Sequence, residues 1–219
     1  MSFQDSLQDG KIGEQLYIDY VKSINGNIID VRNDKQCQLL DIDFIRTYEN
    51  HTKEEVLDNI QNGNPEKRIQ RQKEIGYAVE VKLDKATHNR KLINGKITHG
   101  TGNIVYEVIS HNMPGCTART YADFVLYICV DTFEPVTKLI KAYMINMCNL
   151  RKAMTESKEL KNKMIFKQMT YVQENNIQTK EDILNILIPV EDIIKLNNII
   201  IDYTDKLINF FPQNLHMTK

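Results

Sequence analysis

The stretch GYAVEVKLD (residues 76–84) alternates apolar and polar side chains, which is the pattern of a half-buried β-strand. Successive side chains of a strand point to opposite faces, so Val79 and Val81 are predicted to face a core. Glu80 and Lys82 then project together from the other face. The strand therefore predicts an acid and a lysine side by side at the edge of an apolar core.

A second acidic segment, QLLDIDFI (38–45), precedes this strand and is predicted to belong to another strand over 37–45. If the two strands are neighbours, Asp43 approaches Glu80. Two carboxylates suit Mg²⁺ or Mn²⁺, which are hard cations that prefer oxygen ligands. A lysine beside them can orient an attacking water and offset phosphate charge. The combination predicts metal-assisted hydrolysis of phosphodiester bonds.

Composition sets the broad class of the protein. The chain has 219 residues with 42% hydrophobic and 26% charged residues, which is typical of a globular protein. The formal net charge of −1 means that any nucleic-acid binding must come from local patches.

The four cysteines of the chain form no CxxC pair, which favours reduced thiols. The first ten residues lack a signal-peptide pattern, and the apolar stretch 183–201 carries charge and a proline. We therefore expect a cytoplasmic protein with no membrane partner.

Hydrophobic periodicity divides the chain into two parts. The first is an α/β core over residues 1–130, a mixed sheet flanked by helices with a helical insertion at 46–75. The second, residues 131–219, is predicted to be a helical C-terminal region, packed on the core or forming an interface. The elements expected are helices at 10–26, 51–75, 133–152, 155–175 and 179–210, and strands at 27–31, 37–45, 77–83, 104–110 and 124–130.

Four residues carry a family resemblance: Glu14 in KIGEQLYIDYV, Asp43 in LDIDFI, and Glu80 with Lys82 in AVEVKLD. In this order they resemble the PD-(D/E)XK nuclease superfamily, which includes restriction endonucleases and archaeal-type Holliday-junction resolvases. TGNIVYEVIS and TYADFVLYICV further on are similar to phage-type members, so a phage-encoded protein acting in the host cytoplasm is one expectation. The resemblance covers roughly residues 10–130.

This resemblance implies a restriction-endonuclease-like fold and a site in which Asp43, Glu80 and Glu14 bind the metal while Lys82 assists the nucleophilic water. One departure is that 36 residues separate Asp43 from Glu80, where many members use a short hairpin. Asp41 is a rival to Asp43, which we favour because the apolar pair Phe44-Ile45 follows it.

Ordinary structural roles compete with each assignment. Glu80 and Lys82 could form an exposed ion pair, and Glu14 could simply favour a helix N-terminus. Glu107 is an accessory candidate that could face the same cleft or pair with a surface lysine. Asp123 is a second accessory candidate that could instead cap a helix or strand.

Local charge favours a polyanionic partner, because residues 66–102 contain nine Lys or Arg against four acids. The predicted nucleic-acid-binding residues in this region are Lys67, Arg68, Arg71, Lys73, Lys85, Arg90 and Lys91. We therefore predict a Mg²⁺-dependent nuclease acting on DNA, with homodimerisation open. The alternatives are a non-catalytic nucleic-acid-binding or regulatory protein that retains the nuclease fold, and an interaction protein whose acids are surface residues. The choice between DNA and RNA, linear and branched substrates, and endo- and exonuclease action stays open.

Overall fold

The structure is a computed structural model that describes residues 3–62, 64–110, 112–134, 136–172, 180–196 and 198–215. These residues form a mixed α/β fold. The strands are β1 (Ile28–Asp30), β2 (Phe44–Thr47), β3 (Gly76–Asp84), β4 (Lys91–Ile93), β5 (Lys96–Thr98), β6 (Asn103–Ser110), β7 (Met113–Pro114), β8 (Phe124–Asp131), β9 (Lys138–Asn146), β10 (Ile165–Val172), β11 (Lys180–Pro189) and β12 (Ile200–Asp202). The helices are α1 (Phe3–Ser23), α2 (Lys35–Leu39), α3 (Lys53–Asn62), α4 (Pro65–Glu74), α5 (Cys116–Arg119), α6 (Met147–Glu156), α7 (Lys158–Lys163), α8 (Val190–Ile194) and α9 (Thr204–Leu207), and a 3₁₀ turn spans Ile208–Phe210.

A central six-stranded sheet has the order β1-β2-β3-β8-β9-β12. β3 and β8 run parallel, and the other neighbours are antiparallel. In the parallel pair Glu80 lies opposite Val125 and Lys82 opposite Tyr127. The strand that carries Glu80 and Lys82, β3, therefore lies inside the sheet between β2 and β8.

Apolar layers cover both faces of this sheet. On one face α1 packs against Val79, Val81 and Leu126. Gly13 permits this close approach, because a Cβ there would lie 3.3 Å from Val81 Cγ1. On the other face a second sheet, ordered β10-β11-β6-β7, packs so that its Ile188 joins a core with Tyr127. Each fully buried aliphatic side chain contributes about 1.5–3 kcal/mol to this packing.

Several elements predicted from the sequence are present: the first helix, the two helical segments of the 46–75 insertion, and the strands around 76–84, 103–110 and 124–131. Within the described residues, no helix is both long enough and apolar enough to cross a membrane.

The prediction of a helical region over 131–219 is wrong for the residues that the structure describes. Strands β9 to β12 lie there, and the longest helix among them, α6, has ten residues. β9 buries four consecutive apolar residues, Ala142 to Ile145, because both faces of the sheet are covered. Such a continuous run does not distinguish a buried strand from a buried helix. β9 and β12 extend the same sheet that holds the motif strand.

The prediction of a strand over 37–45 is also wrong in its first part. Asp34 caps helix α2 by accepting hydrogen bonds from the backbone N–H groups of Gln36 and Cys37. Asp41 follows in a turn with φ of +49°, and β2 begins only at Phe44. Asp41 and Asp43 therefore lie in the loop that enters β2 and not on a strand face.

Candidate metal and nuclease site

Strand β3 places Glu80 and Lys82 on the face that the second sheet covers, as the alternation predicts. Val79 and Val81 belong to the core under α1, on the opposite face. Glu80 is 7% exposed, and its Oε1 lies 3.2 Å from Lys82 Nζ. An exposed surface ion pair therefore does not describe this pair of residues.

Asp43 joins this pair through the backbone of β3. Its N–H donates to the carbonyl of Val79 at 3.0 Å, and its Oδ2 accepts from the N–H of Val81 at 2.7 Å. These two bonds extend the β2–β3 pairing by one residue beyond Phe44. They hold the Asp43 carboxylate against the motif strand, as the sequence predicts, although the residue precedes β2.

Burial perturbs both carboxyl groups. Desolvation raises the pKa of Glu80 to about 7, against the opposing effect of Lys82 and with a smaller contribution from Asp43. Desolvation likewise raises the pKa of Asp43 to about 6, and Glu14 adds to this effect, while the Val81 N–H and Lys82 oppose it. The two acids thus lie within electrostatic reach of each other and share a site that resists full ionisation.

Lys82 is a stable ammonium in this setting. Its burial favours the neutral amine, but Glu80, Cys116 and Glu107 outweigh that effect, so that the pKa of Lys82 lies above its ordinary value. Lys82 donates to Glu80 and to the Cys116 sulfur. A cation is therefore held beside two carboxyl groups whose pKa values are raised.

One oxygen of this cluster has no partner among the described residues. Glu80 Oε2 is buried and accepts no hydrogen bond, although Oε1 faces Lys82. An unsatisfied buried carboxylate oxygen costs free energy, and a bound cation would satisfy it.

Glu14, on α1, lies close enough to influence the pKa of Asp43. Arg32 binds its carboxylate and also binds Asp30 through Nη2 at 2.5 Å. Glu14 therefore stands at the edge of the cluster with a cationic partner of its own, and its role as a metal ligand stays a prediction.

Asp41, the rival of Asp43, makes a two-pronged ion pair with Arg119. Nε and Nη2 of Arg119 donate to it at 2.6 and 2.7 Å. Asp41 contributes to the raised pKa of Glu80, but less than Asp43 does. The geometry favours Asp43, which directly contacts the backbone of the motif strand.

Glu107 on β6 faces the same cluster. Its Oε2 accepts from the Cys116 thiol, which in turn contacts Lys82. Burial raises the pKa of Cys116 to about 11, with Lys82 opposing and Glu107 adding to the shift. Glu107 thus approaches Lys82 from the second sheet, through one intervening side chain.

Asp123 has a structural environment and does not reach the cluster. It is fully buried, and its Oδ1 accepts from Arg71 at 2.6 Å, Gln72 at 3.0 Å and Arg68 at 3.3 Å. Its Oδ2 accepts from the N–H of Ala78 at 2.8 Å. Asp123 ties α4 to the start of β3.

This network corrects the prediction for Arg71. Arg71 is 2% exposed, and its guanidinium binds Asp123 and the carbonyl of Gly76, so it cannot contact a phosphate at the surface. Arg68 also donates to Asp123, at 3.3 Å, and to the carbonyl of Tyr121 at 2.9 Å. Both arginines anchor the helical insertion.

Other predicted basic residues are more accessible. Lys67 and Lys73 are exposed on α4, and Lys91 is exposed on β4. Arg90 is half-buried and pairs with Asp131 at 2.5 Å, while Lys85 is half-buried in the segment that leaves β3. The exposed lysines are the ones that can contact a polyanion without first losing a partner in the fold.

In the described part of the chain, no group of three His, Cys, Asp or Glu side chains is arranged to hold a metal ion. Asp43 and Glu80 nevertheless fit a cation that takes most of its ligands from water and substrate. They are hard oxygen donors, and Glu80 Oε2 is a free position.

Sequence reasoning missed Asp84, Cys116 and Arg119. Asp84 could have been found, because the alternation of β3 continues from Lys82 and places Asp84 on the same face. Cys116 and Arg119 lie on α5, more than thirty residues from their partners Lys82 and Asp41. No local sequence pattern predicts a contact between segments so far apart in the chain.

Searches against protein-family models, curated proteins and solved structures return no match to this chain.

Proposed function

We propose that the protein is a Mg²⁺-dependent nuclease that hydrolyses DNA phosphodiester bonds, with Mn²⁺ as an alternative cofactor. One observation carries the proposal: the buried carboxyl group of Glu80 and the half-buried carboxyl group of Asp43, both with raised pKa values, lie within electrostatic reach of each other beside the Lys82 ammonium. A core does not need this arrangement, and it lowers the stability of the metal-free fold near neutral pH. Perturbed acids of this kind are typical of functional sites.

The two acids suit the ligand chemistry of Mg²⁺. Magnesium is commonly held by one or two carboxylates, with waters and substrate phosphate oxygens completing its shell. Asp43 and Glu80 would supply the protein oxygens, and Glu80 Oε2 has no competing donor among the described residues. When bound, the metal would activate water and stabilise negative charge on the phosphate.

Lys82 acts as a cation and not as a general base in this proposal. Because its pKa lies above the ordinary value, Lys82 keeps its proton at neutral pH. Its ammonium can donate to the attacking water and to a phosphate oxygen, and so holds both in place and offsets developing charge. Glu80 fixes its position through the 3.2 Å contact.

Strand neighbours support the restriction-endonuclease-like fold as part of the proposal. β2 and β3 are adjacent and antiparallel, so that the aspartate entering one strand meets the Glu-x-Lys of the next. The 36-residue separation does not disrupt this pairing, because α3 and α4 take up the inserted chain. Lys67 and Lys73 are exposed on α4, where their side chains can contact the DNA backbone.

Cleavage assays test the proposal directly. Linear duplex, single-stranded, circular and four-way-junction DNA would be incubated with Mg²⁺ or Mn²⁺ and with wild type, Lys82→Ala or Lys152→Ala. Lys152 is an exposed lysine on α6 and serves as the matched control. We expect cleavage by wild type and by Lys152→Ala, and a loss of at least about a hundredfold in Lys82→Ala, because an electrostatic group is removed from the reacting centre. Circular dichroism would confirm that each variant is folded.

Two results would contradict the proposal. Cleavage by Lys82→Ala at the wild-type rate would remove Lys82 from the mechanism. DNA binding without cleavage by folded wild-type protein would favour the non-catalytic alternative.

A further inference from the structure

A cavity of about 380 Å³ opens beside Lys82, between the central sheet and the second sheet. Strands β3, β6, β8 and β11 and helix α5 contribute its walls. Its volume lies in the range of small-ligand pockets and accommodates one nucleobase with its sugar, but not a base pair with its backbone.

Two polar atoms at this cavity lack partners in the part of the chain that the structure describes. They are Thr117 Oγ1 and Asn185 Oδ1, from α5 and β11. Thr117 is 5% exposed, and its hydroxyl oxygen is buried. Buried polar atoms of native proteins are nearly always hydrogen-bonded, and a ligand in the cavity would satisfy both.

The charged side chains that line the cavity indicate which chemical class of ligand it would bind. Asp84 and Glu107 line it together with Lys82, so carboxylates outnumber the cation. A phosphate group would be repelled by the two acids. A neutral ligand could donate its amino hydrogens to Glu107 and to the unpartnered Asn185 Oδ1, while Val105 and the ring of Tyr127 provide an apolar wall for a flat ring. These are the properties of a nucleobase.

We propose that this cavity receives one unpaired nucleobase adjacent to the phosphate that is cut. The inference rests on the proposed nuclease function, because Lys82 belongs both to the catalytic cluster and to the cavity wall. A base inside a duplex is paired and stacked, and it must leave the stack to enter a pocket. The preferred substrate therefore carries at least one unpaired nucleotide at the cleavage position.

Binding measured without divalent metal separates this inference from catalysis. The probes are two fluorescently labelled duplexes, identical except at one bulged position, which holds adenine in one and a tetrahydrofuran abasic residue in the other. Anisotropy in EDTA would compare wild type with Thr117→Val and Asn185→Leu. Thr155→Val, at an exposed threonine of α6, is the matched control.

We expect wild type and Thr155→Val to bind the adenine bulge about tenfold more tightly than the abasic bulge, a ratio typical of one accommodated base. Thr117→Val and Asn185→Leu should lose most of this preference while binding the abasic duplex as wild type does. Equal affinity of wild type for the two duplexes would overturn the inference, as would variants that weaken binding to both equally.

The two proposals fail in different ways. DNA cleavage that depends on Lys82, without any preference for the adenine bulge, would contradict the proposed base pocket and support the proposed nuclease function. An affinity in EDTA that depends on the bulged base, together with no cleavage in Mg²⁺, would support the base pocket and contradict the hydrolytic function.

Discussion

The stability of metal-free Glu80→Gln relative to wild type should be clearly greater at pH 8 than at pH 5. Burial raises the pKa of Glu80 to about 7, from an ordinary value of 4.5. The folded protein therefore binds this proton more tightly than the unfolded chain does. The stability that the proton confers is fully present below about pH 4.5, and it is lost as the pH rises through about 7. Glutamine cannot ionise and does not suffer this loss.

The size of the effect follows from the two pKa values. The difference between about 7 and 4.5 corresponds to roughly 3 kcal/mol in the free energy of unfolding, because each pKa unit is worth about 1.4 kcal/mol. Most of this, roughly 2–3 kcal/mol, falls between pH 5 and pH 8 by the same linkage relation. That is a large part of the 5–15 kcal/mol typical of native proteins.

Urea denaturation in EDTA, followed by circular dichroism at pH 5 and pH 8, measures the difference between wild type and Glu80→Gln. Glu49→Gln is the control, because Glu49 is exposed, and its effect should be small at both pH values. If the difference in the free energy of unfolding between Glu80→Gln and wild type were the same at pH 5 and pH 8, the reasoning about a buried, proton-binding carboxylate would be refuted.

Three further results are expected. Asp123→Ala should lower the free energy of unfolding by about 3–5 kcal/mol in urea titrations, because it leaves the buried Arg71 charge without its partner; a loss below about 1 kcal/mol would contradict this. Gly76→Ala should destabilise by more than about 1 kcal/mol in thermal unfolding, because φ is +152° and a Cβ would lie 2.1 Å from a backbone oxygen of β2. Mg²⁺ should raise the Tm of wild type more at pH 8 than at pH 6 and should have little effect on Glu80→Gln, since metal binding requires the ionised carboxylate. A pH-independent Mg²⁺ effect that persists in Glu80→Gln would argue against binding at this site.

The sequence was sufficient where a local pattern determines the structure. The alternation of β3 correctly predicts that Val79 and Val81 face a core and that Glu80 and Lys82 share the other face. It fails before β2, where the Asp34 cap turns residues 35–39 into a helix that competes with the strand pattern. It fails again beyond residue 131, because an apolar run covered on both faces has no diagnostic period.

The surroundings of the site could not be read from local pattern, because they depend on contacts between distant segments. Arg71 looks like a surface cation in its own helix, and only Asp123, 52 residues later, makes it a buried one. Asn185 reaches the cavity from β11, about a hundred residues beyond Lys82. Hydrophobic periodicity reports which face of an element is buried, but not which distant side chain will meet it.

The order of the strands has a consequence for the protein during its synthesis. β6 is made early but lies between β7 and β11, and β9 pairs on its outer side with β12. Until residues 180–202 leave the ribosome, both β6 and β9 therefore present an unpaired backbone edge, which is a surface prone to association with other chains. Asn185 arrives with the same late segment, so the cavity beside Lys82 is completed only then. The nascent chain would therefore contain Asp43, Glu80 and Lys82 well before the pocket that is proposed to bind an unpaired base is complete.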